Sequence, residues 1–387
     1  MEDSDNIHTA GLKSKSLIEQ LLQVQRLQPA KNGGSDIFTN AGPLWHPPGA
    51  KGIYGGICIA QSLQAAQATV PLSFFVHSLH GQFVLAGRAD EQLVYQVSRV
   101  SDGKSFATRT VKVVQQKGER IIFTAIINFT RNDTSSRQQR QIRHSESMPR
   151  GIPEPTSEQE CGTDWNNASS DRPELPPYLT NKVGIINIDT QSPHEKRIHH
   201  WSKASQKISS SSSGRSRGVH THLAALAYIC DNYFIGTVPH VHSIWDFVKP
   251  PLTEFEVGSR DPSQHQHETV RHFLVPGSDE EVTFQKMGQS TFDPQDNEHQ
   301  SRPRVGMMVT LSHTMFFHAP KAVRADEWML MELASHWAGD GRGVATQKIW
   351  SREGTLLASC VQEGVVRLLD QKEDRATAVE KGPTSRL

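Results

Sequence analysis

The sequence reads as an α+β protein made of two similar halves, and three observations point there. A motif recurs: Asp102-Gly103-Lys-Ser-Phe-Ala107-Thr108 in the first half and Asp340-Gly341-Arg-Gly-Val-Ala345-Thr346 in the second share the spacing Asp-Gly-x-x-x-Ala-Thr. Each copy lies between apolar runs, Leu93 to Val100 and Ile121 to Phe129 in one half, Trp328 to Trp337 and Thr355 to Leu368 in the other. Asp-Gly between alternating apolar runs is a hairpin signal. One long apolar helix candidate precedes the strands in each half, Gly55 to Ala68 and Leu223 to Phe234. A helix followed by an antiparallel meander, repeated, predicts helices buried against sheet.

The first helix is opened by Gly55-Gly56 after Gly52-Ile-Tyr. Val76 to Phe83 pairs loosely with Thr310 to Phe317, and polar turns stand at Gln116 to Arg120 and Ser351 to Gly354. Residues 12–130 form the first half and 177–369 the second. The intervening 131–176, rich in Ser, Gln, Arg and Pro, reads as a linker. Two inserted loops are expected, 205–217 with its five-serine run and 256–303 with an edge strand near Val282-Thr-Phe. Residues 370–387 read as a flexible tail.

At 387 residues the chain is long enough for two cores. Lys plus Arg, 41, equals Asp plus Glu, 41, so nothing suggests a nucleic acid partner. No apolar run is long enough to span a membrane. Cys58, Cys161, Cys230 and Cys360 show no metal or redox spacing, and three of them sit in apolar runs. His265, His267 and His272 lack the Cys or carboxylate framing of a zinc motif. No metal and no cofactor are expected. The last residues, Ser385-Arg386-Leu387, resemble the Ser-Lys-Leu peroxisomal address with Arg for Lys; chance is the alternative. That address implies a peroxisomal import receptor as partner and the peroxisomal matrix as location, with the cytosol as fallback.

Asp231 is the most informative residue. Leu223, Leu226, Ala227, Cys230, Asp231 and Phe234 follow a helical rhythm, which sets a carboxylate in an apolar stripe. Such a group costs several kcal/mol, about, unless partners compensate. Chains that keep one often use it. A helix-end Asp paired with a nearby base would look the same, and the pattern leaves both readings standing.

Several blocks in one order then resemble the acyl-CoA thioesterase II family, which spans bacterial and peroxisomal enzymes. They are Gly52-Ile-Tyr-Gly-Gly through Val70-Pro71, Val76-His-Ser-Leu-His, and Ser101-Asp-Gly-Lys-Ser-Phe-Ala. The second half adds His222 through Asp231, Thr310-Leu-Ser-His-Thr-Met-Phe-Phe-His-Ala-Pro320, Glu327-Trp328 and Val361-Gln-Glu-Gly-Val365. The resemblance covers most of 40–130 and 190–368. It implies a double hotdog: two antiparallel sheets, each wrapped on a long central helix. It also implies hydrolysis of acyl-CoA by water activated at Asp231, Thr310 and Gln362, and assembly into homo-oligomers. By pattern alone, Thr310 is an ordinary strand residue and Gln362 an amide on an exposed strand face.

Ile57, Cys230 and Ser312 stand where many members carry Gln, Ser and Asp, which affects pocket details rather than the trio. Counting eight residues past the turn glycine reaches Gln362 in the second half and Ile126 in the first. The first helix carries no acid, so the first half reads as structural, with one catalytic centre per chain. His313 and His318 flank Phe316-Phe317, and either could face the pocket or a phosphate, though the pattern favours satisfied sheet histidines; Cys230 and Cys360 read as packing residues. A hydrolase dedicated to a specialised acyl-CoA pathway, or a non-catalytic acyl-CoA-binding protein, is the alternative.

Overall fold

A computed structural model of the chain describes residues 15–29, 34–42, 44, 52–115, 120–131, 142–155, 176–187, 189–209, 215–244 and 303–369. The first half runs α1 (Leu17–Leu22), β1 (Val24–Gln28), β2 (Asp36–Asn40), α2 (Gly55–Gln67), β3 (Phe74–Phe83), β4 (Val94–Asp102), β5 (Phe106–Gln115) and β6 (Arg120–Arg131). The second runs β7 (Tyr178–Ile186), β8 (Arg197–Ala204), α3 (Arg215–Ile229), α4 (Thr237–Val241), β9 (Val305–Phe317), β10 (Met329–Gly339), β11 (Arg342–Ser351) and β12 (Leu356–Leu368).

These strands form one twelve-stranded sheet, ordered β1-β2-β4-β5-β6-β3-β9-β12-β11-β10-β8-β7. Read inwards from either edge, the two halves place corresponding strands in the same sequence, so the repeat is structural. The expectation of two sheets is corrected to one. Ser78–Gln82 of β3 pairs antiparallel with Ser312–Phe316 of β9 and joins the halves. Left apart, each would expose a row of unpaired backbone groups.

The repeated Asp-Gly motif makes two different turns. Asp340 (φ 51°) and Gly341 (φ 70°) form a two-residue loop, with Gly339 opposite Arg342. Left-handed backbone at both central residues is what a type I′ hairpin requires. In the first half Asp102 remains in β4 opposite Ala107, and the Gly103 N–H donates to Phe106 O (2.9 Å) in a wider loop.

Nearly every residue of α2 from Gly56 to Ala66 is buried, as is Leu223 through Cys230 at the end of α3. The expected apolar stripe is therefore corrected: α3 is enclosed on all sides there, as befits an interior helix. The two helices pack on each other. A Cβ at Gly56 would sit 2.5 Å from Tyr228 O, so the missing side chain permits that approach, and the Tyr54 hydroxyl donates to the same carbonyl at 2.9 Å. One apolar cluster runs through both halves.

Fully buried Arg109 of β5 ties the end of α2 to the sheet. Its guanidinium donates to Thr69 Oγ1 (2.7 Å), Thr69 O (3.1 Å), Ser101 O (2.9 Å) and Thr108 O (3.0 Å), and pairs with Asp102.

Part of the expected linker is docked. In 142–155, Met148 and Ile152 pack on Trp201, Trp328 and Leu330, and Trp201 Nε1 donates to Pro153 O (2.8 Å). Ion pairs Lys348–Glu146 (2.7 Å) and Arg352–Glu154 (2.8 Å) fix the same segment. α3 begins at Arg215, inside the expected 205–217 loop. His265, His267, His272, the Val282 segment, Cys161 and Ser385-Arg386-Leu387 lie outside the described residues.

Candidate active site

α3 ends at Ile229, so Asp231 sits in the turn that follows rather than on the helix face. Asn232 N–H donates to Ile229 O (3.0 Å), and Tyr233 takes left-handed backbone (φ 62°), which turns the chain sharply. The Asn232 side chain donates to Thr180 Oγ1 (2.9 Å), and Lys182 Nζ reaches the Tyr233 hydroxyl (3.1 Å), anchoring the turn to β7. Gly343 and Gly364 face each other across β11 and β12. A Cβ on either would come within 2.6 Å of Val238 or 2.5 Å of Ile235. The paired glycines hollow the sheet so that this segment can lie against it.

The Asp231 side chain is 7% exposed. Its Oδ1 accepts a hydrogen bond from Gln362 Nε2 at 2.8 Å. The carboxylate also accepts from the backbone N–H of Gly56, in the first turn of α2. A Cβ at Gly55 would lie 2.7 Å from Asp231 Oδ2. Tyr54 gives α2 no side-chain cap and its first turn has no acid. Asp231, from the other half, thus supplies the negative charge that a helix start favours. The expectation of a purely structural first half is corrected here: its helix start touches the carboxylate.

Gln362 is fully buried on β12, which corrects its reading as an exposed-face amide. Its Nε2 lies 3.3 Å from His313 Nδ1, while its Oε1 is buried without a hydrogen-bond partner among the described residues. His313 lies directly opposite on β9. Its Nε2 is 3.5 Å from Cys230 Sγ, its Nδ1 3.9 Å from Asp231 Oδ1, and its ring stands edge-to-face with Phe234. Cys230 Sγ–H donates to Ala227 O (3.4 Å).

One set of hydrogens satisfies the chain. The thiol donates to Ala227, His313 Nε2–H donates to the thiol sulfur, and Gln362 Nε2 donates one hydrogen to His313 Nδ1 and one to Asp231. Both amide hydrogens are committed, which leaves Oε1 as the open acceptor.

Thr310 is brought to the same face by a bulge. Gln362 pairs with His313 and Glu363 with Ser312, but Gly364 pairs with Thr310, so Leu311 is skipped. Residues three apart on a regular strand face opposite sides; the extra residue returns Thr310 to the side of His313 and Gln362. Among the described residues no hydrogen bond links Thr310 to Asp231 or Gln362.

Burial raises the Asp231 pKa above the ordinary carboxylate value, against the opposing pull of His313, Gln362 and the Gly56 N–H. Burial disfavours the His313 cation, yet Cys230 and Asp231 outweigh it and its pKa lies above the ordinary imidazole value. Burial pushes the Cys230 thiol well up. Tyr54, Tyr178 and Tyr228 pack edgewise beside this site, and burial, then neighbouring negative groups including Asp231, raises each phenol.

The first half lacks the amide. Ala345 pairs with Gln362, and the corresponding Ala107 pairs with Phe129. Ile126, reached by counting from the turn, is corrected to Phe129; hairpin registry, not loop spacing, sets equivalence. Of the two readings open for His313, facing the pocket or packing in the sheet, the structure sets it beside Asp231 and Gln362. The signal was its place three residues past Thr310 in a strand. His318 instead lies toward the outside, its Nε2 2.9 Å from Ser359 Oγ.

Two family models match in tandem, an acyl-CoA thioesterase N-terminal domain over residues 42–130 and an acyl-CoA thioesterase C-terminal domain over 155–366. Human acyl-coenzyme A thioesterase 8 is 30% identical over 84% of this chain and 83% of its own. Peroxisomal acyl-coenzyme A thioester hydrolase 1 of Saccharomyces cerevisiae is 24% identical over 95% of this chain and 99% of its own. Among solved structures, an acyl-CoA thioesterase II from Mycobacterium marinum aligns with a TM-score of 0.56 at 24% identity, over 91% of this chain and 98% of that one, a likeness of fold. With both domain models matched along most of its length, the chain belongs to the acyl-CoA thioesterase family of hydrolases.

Proposed function

We propose that the chain is a double hotdog that hydrolyses acyl-CoA to free CoA and a carboxylic acid with a water activated at Asp231, Gln362 and Thr310. The observation that carries the reading is the Gln362 Nε2 to Asp231 Oδ1 bond at 2.8 Å beside a buried Oε1 that has no partner among the described residues. A water placed there donates one hydrogen to the carboxylate and the other to Oε1, so its lone pair points away from both. Thr310, on the same face, steadies the water or the acyl group.

The water oxygen attacks the thioester carbon as its proton passes to Asp231. The carbonyl oxygen gains the negative charge. The positive end of α2 lies within reach of that charge as it already does of Asp231. Collapse of the adduct breaks the carbon–sulfur bond, and the proton held by Asp231 returns to the leaving thiolate. His313 takes no part in proton transfer; by accepting from Gln362 it keeps the amide from rotating its Oε1 away from the water. The repeated half-topology, with a buried helix in each half, supports the double hotdog.

The yeast relative's name and the Ser385-Arg386-Leu387 terminus together support a peroxisomal role through an import receptor. Deleting Leu387 should leave the protein in the cytosol. The catalytic test is free-thiol release from a panel of acyl-CoAs by wild type and Asp231→Asn. The variant should fold and lose about a hundredfold or more in rate. An undiminished rate would remove Asp231 from the mechanism.

A further inference from the structure

Behind the catalytic amide, three soft donors converge in the interior. Cys230 Sγ, Cys360 Sγ and His313 Nε2 or Nδ1 all lie within 4.8 Å of one another, and all three residues are buried. A fourth is adjacent: Met315 Sδ is 3.8 Å from Cys230 Sγ. The sheet explains the convergence. Met315 pairs directly with Cys360, and His313 with Gln362, so alternate inward positions of β9 and β12 deliver imidazole, thioether and thiol to one spot. The turn after α3 brings Cys230 onto them.

We propose that this cluster is a binding site for one soft, thiophilic metal ion of the Zn(II) or Cd(II) type, held by Cys230, Cys360 and His313 with Met315 alongside. A tetrahedral zinc with bonds of about 2.3 Å to sulfur and 2.0–2.1 Å to nitrogen separates a sulfur from a nitrogen by roughly 3.5 Å, and two sulfurs by roughly 3.8 Å. The Cys230–His313 and Cys230–Met315 distances, 3.5 and 3.8 Å, already have those values. Two thiols and a neutral imidazole also balance the charge: the dication enters, two protons leave, and the site stays neutral. Thiolate and thioether ligands favour soft ions over Mg(II) or Ca(II), which need oxygen donors this cluster does not offer.

Occupancy has a consequence for the amide, and this part alone rests on the proposed catalytic reading. A metal on Nε2 forces the imidazole proton onto Nδ1. That N–H then confronts the Gln362 Nε2 hydrogens, and the amide must turn to offer Oε1 instead. Asp231 loses its donor and the water loses its acceptor. The bound ion is therefore an inhibitor of hydrolysis that does not compete with acyl-CoA.

The test is a Cd(II) titration of the metal-depleted full chain, followed by the ultraviolet thiolate-to-cadmium band, with Zn(II) competing against a chromogenic chelator. Wild type should bind one equivalent, more tightly as pH rises because two protons are released. Cys360→Ser and Cys230→Ser should lose the band, while Cys161→Ser keeps it; circular dichroism checks the fold, and Cys360→Ala replaces any serine variant that fails to fold. A full band in the folded Cys360 variant, or its loss in Cys161→Ser, overturns the site. Zn(II) should lower wild-type turnover and spare Cys360→Ser. Binding without inhibition would leave the metal site standing and overturn the link to Gln362.

Discussion

A methyl group at Gly55 is the sharpest perturbation the geometry offers. The Cβ of Gly55→Ala would lie 2.7 Å from Asp231 Oδ2 and 3.0 Å from Phe83 Cζ. An ordinary carbon–oxygen contact needs about 3.3 Å, so the carboxylate must withdraw by roughly 0.6 Å. That retreat stretches its 2.8 Å bond from Gln362 toward the limit of hydrogen bonding. Losing a charge-assisted hydrogen bond costs about 1.5–3 kcal/mol. If the loss falls on the transition state, the rate drops about 10- to 150-fold. Alanine is meanwhile the better helix former by up to about 1 kcal/mol, so the fold should hold. Thiol release should collapse while thermal unfolding barely moves. A Gly55→Ala enzyme within twofold of wild-type kcat/KM would refute the claim that the first half braces the Asp231 carboxylate for the proposed reaction.

The proposed mechanism needs Asp231 ionised and His313 neutral, and both pKa values are raised, so the acid limb of the pH–rate profile should lie above the ordinary carboxylate range. His313→Asn, which keeps an acceptor but no titration, should move that limb down; His313→Leu should cost roughly tenfold or more in kcat with KM little changed, and an unmoved limb in the Asn variant counts against the assignment. A raised carboxylate pKa favours the fold below the ordinary value of about 3.8 and loses that contribution as pH climbs through the folded value. Asp231→Asn should accordingly unfold at higher temperature than wild type at neutral pH, the gain vanishing in acid. Burial holds His200 of β8 down at about 3, so its contribution is complete above the ordinary value of about 6.5 and is lost as pH falls toward 3. His200→Phe should shift acid unfolding, followed by circular dichroism, to lower pH. Arg109→Lys leaves carbonyls and Asp102 without the guanidinium fork and should cost about 3 kcal/mol in urea unfolding.

Much of the fold was legible because it is local. Helix α2 was expected as Gly55 to Ala68 and ends at Gln67; strands β4, β6, β10 and β12 begin and end within two residues of their apolar runs. The carboxylate at 231 announced itself as a charge among apolar neighbours. Its setting stood open between a helix face and a helix end, because a helix and the turn after it share the first few spacings; the helix stops at Ile229 and the chain turns away through Tyr233. The single sheet could not be foreseen: periodicity assigns a residue to a face but does not say which edge meets which. Long-range registry hid the rest. Gln362 looks exposed by pattern, loop spacing points to Ile126 instead of Phe129, and His313 and Cys360 meet only through the pairing of β9 with β12, with Cys230 carried to them by the turn after α3.

The seam between β3 and β9 joins two halves that do not do the same work. A polypeptide of residues 177–369 alone would keep Asp231, His313 and Gln362 but have no helix start to receive the carboxylate. The two repeats are therefore not interchangeable: Phe129 holds in the first the registry position of Gln362 in the second, and the surroundings of Asp231 are complete only when both halves fold into one sheet.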